Sequence, residues 1–113
     1  MLFAVLLRDN PERLYLRQAH VDEHLDYVAA QGTKVLAGGA LRPKPEDAPQ
    51  GALWLVNAEN KEAAQAIIEG DPFFKLGLRQ SVDIYHWSKG VWSEPFAQCM
   101  SALDPQDGRI ADS

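Results

Sequence analysis

The sequence is poor in the residues that cross-link small proteins. Among its 113 residues Cys99 is the one cysteine, which excludes a disulfide within the chain and a cysteine-rich metal cluster. Basic residues are also scarce: Lys and Arg total 11 against 16 Asp and Glu, for a net charge of −5. Since no basic run is present either, a nucleic-acid partner is not expected.

Long apolar runs are missing as well. No stretch approaches the roughly 18 apolar residues that a membrane-spanning helix requires. The apolar residues 1–7 have no basic residue before them and are followed by Arg8 and Asp9, so they are interpreted as a strand, not a signal peptide. One cytoplasmic domain, with no membrane partner, is the expectation.

Several motifs of catalysis and cofactor binding are absent. The sequence contains no Gly-x-Gly-x-x-Gly, no phosphate-binding loop, no Gly-x-Ser-x-Gly and no His-Glu-x-x-His. Cys99 lies in a segment without clear periodicity, which is a poor place for a nucleophile. We therefore expect no cofactor.

What is present is a regular alternation of strands and helices. Apolar runs and turn residues predict strands at 2–8, 34–41, 52–56 and 81–87, helices at 12–31 and 61–69, and a one-turn helix within 71–78. The order β-α-β-β-α-β predicts an α+β, ferredoxin-like fold over residues 1–90. Periodicity fades from Ser88, so 91–113 is interpreted as an extension whose last part, 103–113, is a loose tail. The proline-rich loop 42–50 either connects two strands or also covers a pocket.

The strands suggest a second copy of the chain. The first and third predicted strands are apolar on both faces, whereas the helices of a ferredoxin-like fold cover one face of the sheet. The other face needs a cover, and we expect a homodimer formed through this open sheet face.

The first predicted helix carries two stripes of side chains. The apolar stripe, expected to face the core, is Leu14, Val21, Leu25 and Val28. The polar stripe, along its shoulder, is Arg17, His20, His24 and Tyr27. A side chain on such a shoulder can have its tip in a cleft, as a general base requires.

Three interpretations of the two histidines remain open. They can be ordinary surface residues of a helix. Their i, i+4 spacing can also hold a metal, with Asp71 or His86 as a third ligand. Finally, one of them can form a general acid/base with a carboxylate, and Asp71, whose backbone Gly70 and Pro72 restrict, is the best candidate. Asp71 is also typical of a helix N-cap, a role compatible with catalysis.

Three short motifs carry a family resemblance. His24-Leu25-x-Tyr27, Leu36-Ala37-Gly38-Gly39 and Asp71-Pro72-Phe73, in this order, resemble the YciI-like (YCII-related) family over roughly residues 1–90. The resemblance implies a dimeric α+β barrel of ferredoxin-like subunits and an active site formed by His24 and Asp71. His20 fits less well because no Leu-x-Tyr follows it. Gly39 stands where the family usually has proline, and Glu23 precedes His24 without a nearby proline, so the strand end and the helix entry can differ here.

The expected function follows from the pair and the resemblance together. It is a small cofactor-free enzyme that uses His24 and Asp71 for isomerisation, lactone rearrangement or an elimination such as dehydrochlorination on a small cyclic or aromatic-derived metabolite. Arg17 is expected to hold a substrate carboxylate or enolate. The expected pocket wall is formed by Tyr27, Gly38, Phe73 and Phe74. The alternative is a non-catalytic dimeric module that binds a small molecule or serves a partner protein.

Overall fold

The computed structural model of the protein describes residues 1–88 and 90–103. Four strands form one antiparallel sheet in the order β2-β3-β1-β4, so that β1 lies between β3 and β4. Their bounds are Leu2–Asp9 for β1, Val35–Leu41 for β2, Gly51–Asn57 for β3 and Arg79–His86 for β4. This arrangement confirms the predicted ferredoxin-like α+β fold.

The bounds of the helices are Tyr15–Ala30 for α1, Lys61–Glu69 for α2, Pro72–Lys75 for α3 and Glu94–Leu103 for α4. Two of the helices, α2 and α3, begin at the caps expected from the sequence, whereas α1 has no side-chain cap. The side chain of Asn60 accepts a hydrogen bond from the Ala63 amide at 2.8 Å and so caps α2. Within residues 1–88 and 90–103, no helix is long and apolar enough to cross a membrane.

The predicted helix over residues 12–31 is confirmed over Tyr15–Ala30, but it is wrong over its first three residues and in its continuity. A separate 3₁₀ turn, Pro11–Arg13, precedes α1, and the side chain of Asn10 accepts from the Glu12 amide at 3.0 Å. Within α1 the backbone departs from helical geometry at His20, with φ −129° and ψ 20°. The chain therefore changes direction between the segments that carry Arg17 and His24.

The main core lies between one face of the sheet and α2. Its buried side chains alternate along the strands, as expected for a sheet with one covered face. They are Phe3, Val5, Leu7, Ala52, Trp54, Val56 and Ile84 from the strands, with Ala64 and Ile68 from α2. On the opposite face Leu53 and Tyr85 are 47% and 59% exposed, so this face stays partly open.

The middle of the predicted apolar stripe of the first helix does not face the core, although Leu14 and Val28 at its two ends pack against buried clusters. Val21 and Leu25 are 40% and 56% exposed, and the buried side chain of α1 is Leu16. The polar stripe turns inward because its tips find buried partners: Arg17 bonds to Asp9, and His24 to Asp71. The apolar stripe instead borders a cavity.

No helix was predicted after Ser88, but residues 94–103 form α4. Cys99 therefore lies on a helix, where it is exposed. Met100 is buried, and Phe96 borders the open face of the sheet together with Leu53 and Tyr85. Residues 104–113 of the predicted tail lie outside the described residues.

Candidate active site

The centre of the site is a hydrogen-bonded pair contributed by two different elements. His24, in the middle of α1, has its Nδ1 2.8 Å from Oδ1 of Asp71, the N-cap of α3. Asp71 is buried, and its Oδ1 also accepts from the Phe73 amide at 3.3 Å. One carboxylate oxygen thus caps α3 and contacts the imidazole, so the two interpretations of Asp71 hold together.

The contact determines which nitrogen of His24 is available. An ionised carboxylate can only accept hydrogen bonds, so Nδ1 carries the hydrogen and donates it to Asp71. Nε2 then keeps its lone pair, and it has no hydrogen-bond partner in the part of the chain that the structure describes. Since His24 borders the cavity, this nitrogen can exchange a proton with a bound molecule.

Aromatic rings fix the orientation of the imidazole. The rings of His24 and Phe73 are stacked, with centroids 4.1 Å apart and an interplanar angle of 11°. Trp54, on β3, lies on another side of His24 at 5.9 Å between centroids. Because Phe73 and Trp54 are both buried, the imidazole has little freedom to rotate away from Asp71.

A chain of buried charges extends from this pair to the end of β1. Asp9 is bonded to two arginines: its Oδ2 accepts from Nε of Arg17 at 2.6 Å and its Oδ1 from Nη1 of Arg79 at 2.8 Å. Nη2 of Arg79 in turn lies 3.9 Å from Oδ2 of Asp71. The charges therefore alternate in sign from Arg17 through Asp9 and Arg79 to Asp71.

Asp9 and Arg79 were missed from the sequence. Both lie at the same end of the sheet, where β1 ends and β4 begins, and they pair across a register shift between Arg8 and Asp9. An aspartate directly after an apolar strand was a signal for Asp9, although it was interpreted as part of a turn. Arg79 has no local signal, because its burial depends on residues distant in the chain.

Arg79 is poorly solvated for a charged group. Its Nε and Nη2 and the Oδ2 of Asp71 have no hydrogen-bond partner among the described residues, although all three atoms are buried. Burial lowers the pKa of Arg79 from its ordinary value, and the hydrogen bond to Asp9 partly opposes this shift. The charged form of Arg79 therefore depends on the nearby carboxylates of Asp9 and Asp71.

A cavity of about 560 Å³ opens beside His24. It lies between α1, the edge of β2 and β3 and the loop 42–50. Four of the predicted site residues border it, namely Arg17, Gly38, His24 and Phe73. A Cβ atom at Gly38 would lie 3.3 Å from the Trp54 ring, so this glycine lets the strand pass close to the indole. From the loop, Ala48 and Pro49 reach the cavity wall.

Tyr27 and Phe74, also predicted to wall the pocket, lie outside this cavity. The Tyr27 hydroxyl donates to the carbonyl of Ile67 at 2.6 Å and borders a different cavity between α1 and α2. Burial raises the pKa of Tyr27, and the charge of Asp71 adds to the shift. Phe74 packs against the main core. Tyr27 thus joins α1 to α2, whereas Phe74 packs α3 against the core.

The proposed metal ligands are dispersed. His20 bonds through Nδ1 to its helix neighbour Glu23 at 3.0 Å, and His86 packs edge-on against Phe3. Within residues 1–88 and 90–103, no group of three or more His, Cys, Asp or Glu side chains is placed to hold a metal ion.

The model of a known protein family matches most of the chain. The YCII-related domain model matches residues 1–88. This chain belongs to the YCII-related domain family. No curated protein sequence is significantly similar to this YCII-related chain.

Two solved structures are similar to this YCII-related domain, and the first shares its fold. The 5-chloro-2-hydroxyhydroquinone dehydrochlorinase of Burkholderia phenoliruptrix, in complex with 2,5-dihydroxybenzoquinone, is 28% identical, with a TM-score of 0.72 over 80% of this chain and 96% of that one. SnoaB, a cofactor-independent oxygenase of Streptomyces nogalater, is 11% identical, with a TM-score of 0.47 over 80% of this chain and 94% of that one. Both coverages leave about a fifth of this chain unmatched.

Proposed function

We propose that the protein is a small enzyme in which His24 and Asp71 carry out general acid/base chemistry on a compact cyclic or aromatic-derived molecule. The observation that carries the proposal is the 2.8 Å contact between His24 Nδ1 and Asp71 Oδ1, with Nε2 left free beside a cavity. The dyad gives the imidazole one orientation and one available nitrogen. The 560 Å³ cavity is within the usual range for small-molecule sites.

In the proposed reaction, Nε2 of His24 removes a proton from a carbon or hydroxyl group of the substrate. The electron pair left behind forms a new double bond in the substrate. In an elimination this displaces a leaving group such as chloride, and in an isomerisation the imidazolium returns the proton at a second position. Asp71 stabilises the imidazolium while it exists, because its carboxylate accepts the hydrogen on Nδ1.

A relative supports the reaction class. The structure with a TM-score of 0.72 is named as a dehydrochlorinase of a chlorinated hydroxyhydroquinone, and it holds a dihydroxybenzoquinone. Loss of HCl from such a ring requires a site that fits one six-membered ring and a group that both takes and returns a proton. One ring hydroxyl loses a proton and the chlorine-bearing carbon gains one, after which a second hydroxyl loses its proton as chloride leaves and the quinone forms. His24 Nε2 and the adjoining cavity meet both requirements, so an elimination on a hydroxylated ring is the first reaction to test.

The test compares His24→Gln and Asp71→Asn with the wild type on chlorinated hydroxyhydroquinones, by chloride release and by ring absorbance. We expect activity to fall by about 10²- to 10⁴-fold in His24→Gln, because the base is removed. His20→Gln is the matched control: it lies one turn away on the same helix, bonds only to Glu23, and should keep full activity. Folded His24→Gln protein with unchanged activity contradicts the proposal. Ligand binding without turnover in the wild type favours the non-catalytic module.

We also propose that two copies of the chain pack through the open sheet face. Apolar side chains on that face are exposed although the opposite face forms the core. Those that border one shallow depression are Leu41, Leu53, Leu55, Tyr85, Trp87 and Phe96. Contiguous apolar surface of this kind is typical of a protein interface.

A further inference from the structure

The cavity beside His24 is lined by positive charge in a protein that is negative as a whole. The chain has a formal net charge of −5, yet its charged cavity-lining side chains are Arg17, Arg42 and Arg79. No Asp or Glu is among the residues that line this cavity. The charge of the side chains that line the cavity is therefore opposite in sign to the net charge of the molecule.

Two of the three charges are compensated from behind the cavity wall. Asp9 pairs with both Arg17 and Arg79, and Asp71 lies 3.9 Å from Arg79. Arg42 differs from them, because its Nη1 donates to the backbone carbonyl of Asp47 at 3.3 Å. In the described ranges, 1–88 and 90–103, no carboxylate forms an ion pair with Arg42.

Donors remain available on the same side of the cavity. Arg17 uses Nε for Asp9 and Nη2 for the carbonyl of Gly51, which leaves Nη1 without a partner among the described residues. Nε and Nη2 of Arg79 also have no hydrogen-bond partner within that same part of the chain, but both atoms are buried, so Arg79 contributes its charge and not a donor. A bound anion would lie in the field of all three guanidinium groups in a partly enclosed site, where charges are screened less than in water.

The remaining walls favour a flat apolar body. Trp54 and Phe73 contribute aromatic rings, and the apolar stripe of α1 contributes Leu14, Val21 and Leu25. A molecule that matches both the charge and the walls has a planar ring and at least one ionised oxygen.

We propose that the cavity selects a planar organic anion, such as a ring carrying a carboxylate, an enolate or an acidic phenol, and that Arg42 supplies the uncompensated charge for this selection. Arg17, held in place by Asp9 and Gly51, offers the hydrogen bond from Nη1. The inference takes the location of the site from the proposed function, but it does not require that His24 transfers a proton. It gives the loop 42–50 a role in specificity.

The experiment measures binding by isothermal titration calorimetry with two matched pairs of compounds. One pair is 2,5-dihydroxybenzoquinone, which is ionised at neutral pH, and neutral 2,5-dimethoxybenzoquinone. The other is benzoate and benzamide. We expect the anion of each pair to bind at least about fivefold more tightly, and this preference to shrink as salt is added.

Substitutions in the loop test whether Arg42 causes the preference for anions. Arg42→Gln should weaken binding of the anions about fivefold and leave the neutral compounds unchanged, whereas Arg42→Lys should retain most of the preference. Lys44→Gln removes the same charge from the same loop at a residue that does not line the cavity, and should have little effect. Equal effects of Arg42→Gln and Lys44→Gln would overturn the assignment.

His24→Gln separates this inference from the proposed function. If the variant is inactive and still prefers anions, both proposals are supported. If the wild type turns over no substrate but the preference persists, the proton chemistry fails and the anion site stands. Equal affinity for the members of each pair, or no binding of either anion at millimolar concentration, overturns the anion site whatever the activity of His24.

Discussion

Arg79 joins the two carboxylates of the site, although its side chain is buried at the start of β4. Its Nη1 donates to Asp9 and its Nη2 lies 3.9 Å from Asp71. Removal of one member of a buried ion pair is costly, because it leaves the other charge without compensation. The position of His24 thus depends on Arg79, which acts through Asp71 and does not contact the imidazole itself.

We expect Arg79→Met to lower the free energy of unfolding by about 3–5 kcal/mol, since Asp9 and Asp71 would remain buried without this cation. Urea denaturation measures the change. Arg8→Met is the matched control, because Arg8 lies on the neighbouring strand and is exposed, and its effect should stay within about 0.5 kcal/mol. The double variant Arg79→Met/Asp9→Asn should recover part of the loss. Equal stability of Arg79→Met and Arg8→Met would show that the buried pairs contribute little.

The raised pKa of Tyr27 predicts that the stability of the protein changes with pH in the alkaline range. This pKa is raised above the ordinary 10.0 by burial and by Asp71, so the folded state binds the hydroxyl proton more tightly than the unfolded state. This contribution is fully present below about pH 10 and is lost as the pH rises through the raised pKa. The stability difference between wild type and Tyr27→Phe should therefore shrink as the pH rises above about 10. A difference between wild type and Tyr27→Phe that stays constant as the pH rises would refute the linkage.

At the scale of elements, the close packing of β3 on β1 depends on Gly51. A Cβ atom there would overlap the carbonyl oxygen of Leu7, a backbone atom that cannot rotate away. We expect Gly51→Ala to lower the free energy of unfolding by about 3 kcal/mol, as overpacking does. It should also move the Gly51 carbonyl that accepts from Arg17.

Gly39→Ala tests the same substitution in the same sheet without the overlap, because nothing lies within 4 Å of a Cβ atom at that residue. Its effect should stay below about 1 kcal/mol in the same urea titration. If the two alanine variants were equally stable, the close approach of β3 to β1 would not account for the glycine.

The elements differ in how far the sequence determines them. The order of strands, the caps of α2 and α3 and the contact partners His24 and Asp71 were visible, because each depends on a short pattern around one residue. The orientation of α1 was wrong, because a periodicity argument assumes that apolar residues face the core. Here Arg17 and His24 find buried partners, while Val21 and Leu25 face a cavity. That preference is set by Asp9, on β1, and by Asp71, which is 47 residues from His24 in the sequence.

The missed helix α4 has a different cause. Ser93, Glu94 and Pro95 are typical of a helix start, and the carbonyl of Ser93 accepts from the Ala97 amide at 2.9 Å. Phe96 and Met100 are four residues apart, which is helical spacing, so the sequence did carry the signals of this helix. The catalytic roles of His24 and Asp71 stay predictions, since geometry alone brings the two side chains together.

At the scale of the whole molecule, we expect a substitution on the open sheet face to change the oligomeric state of the protein. Leu53→Glu places a charge in the middle of the exposed apolar side chains of that face and should shift the protein from dimer to monomer in sedimentation velocity. Leu76→Glu is the matched control, because Leu76 is similarly exposed but does not border that face, and its assembly should be unchanged. If the wild type sediments as a monomer at all concentrations, the proposed interface is wrong.

Trp54 gives the molecule an intrinsic optical signal. The indole is one of three in the chain, is buried, and lies 5.9 Å from the imidazole of His24, between the core and the cavity. A protonated imidazole at such a distance accepts an electron from an excited indole and quenches its fluorescence, whereas the neutral ring does so weakly. In a protein that carries Trp87→Phe and Trp92→Phe, the emission of the remaining indole would therefore follow, without any added label, both the proton on His24 and the arrival of a quinone in the cavity.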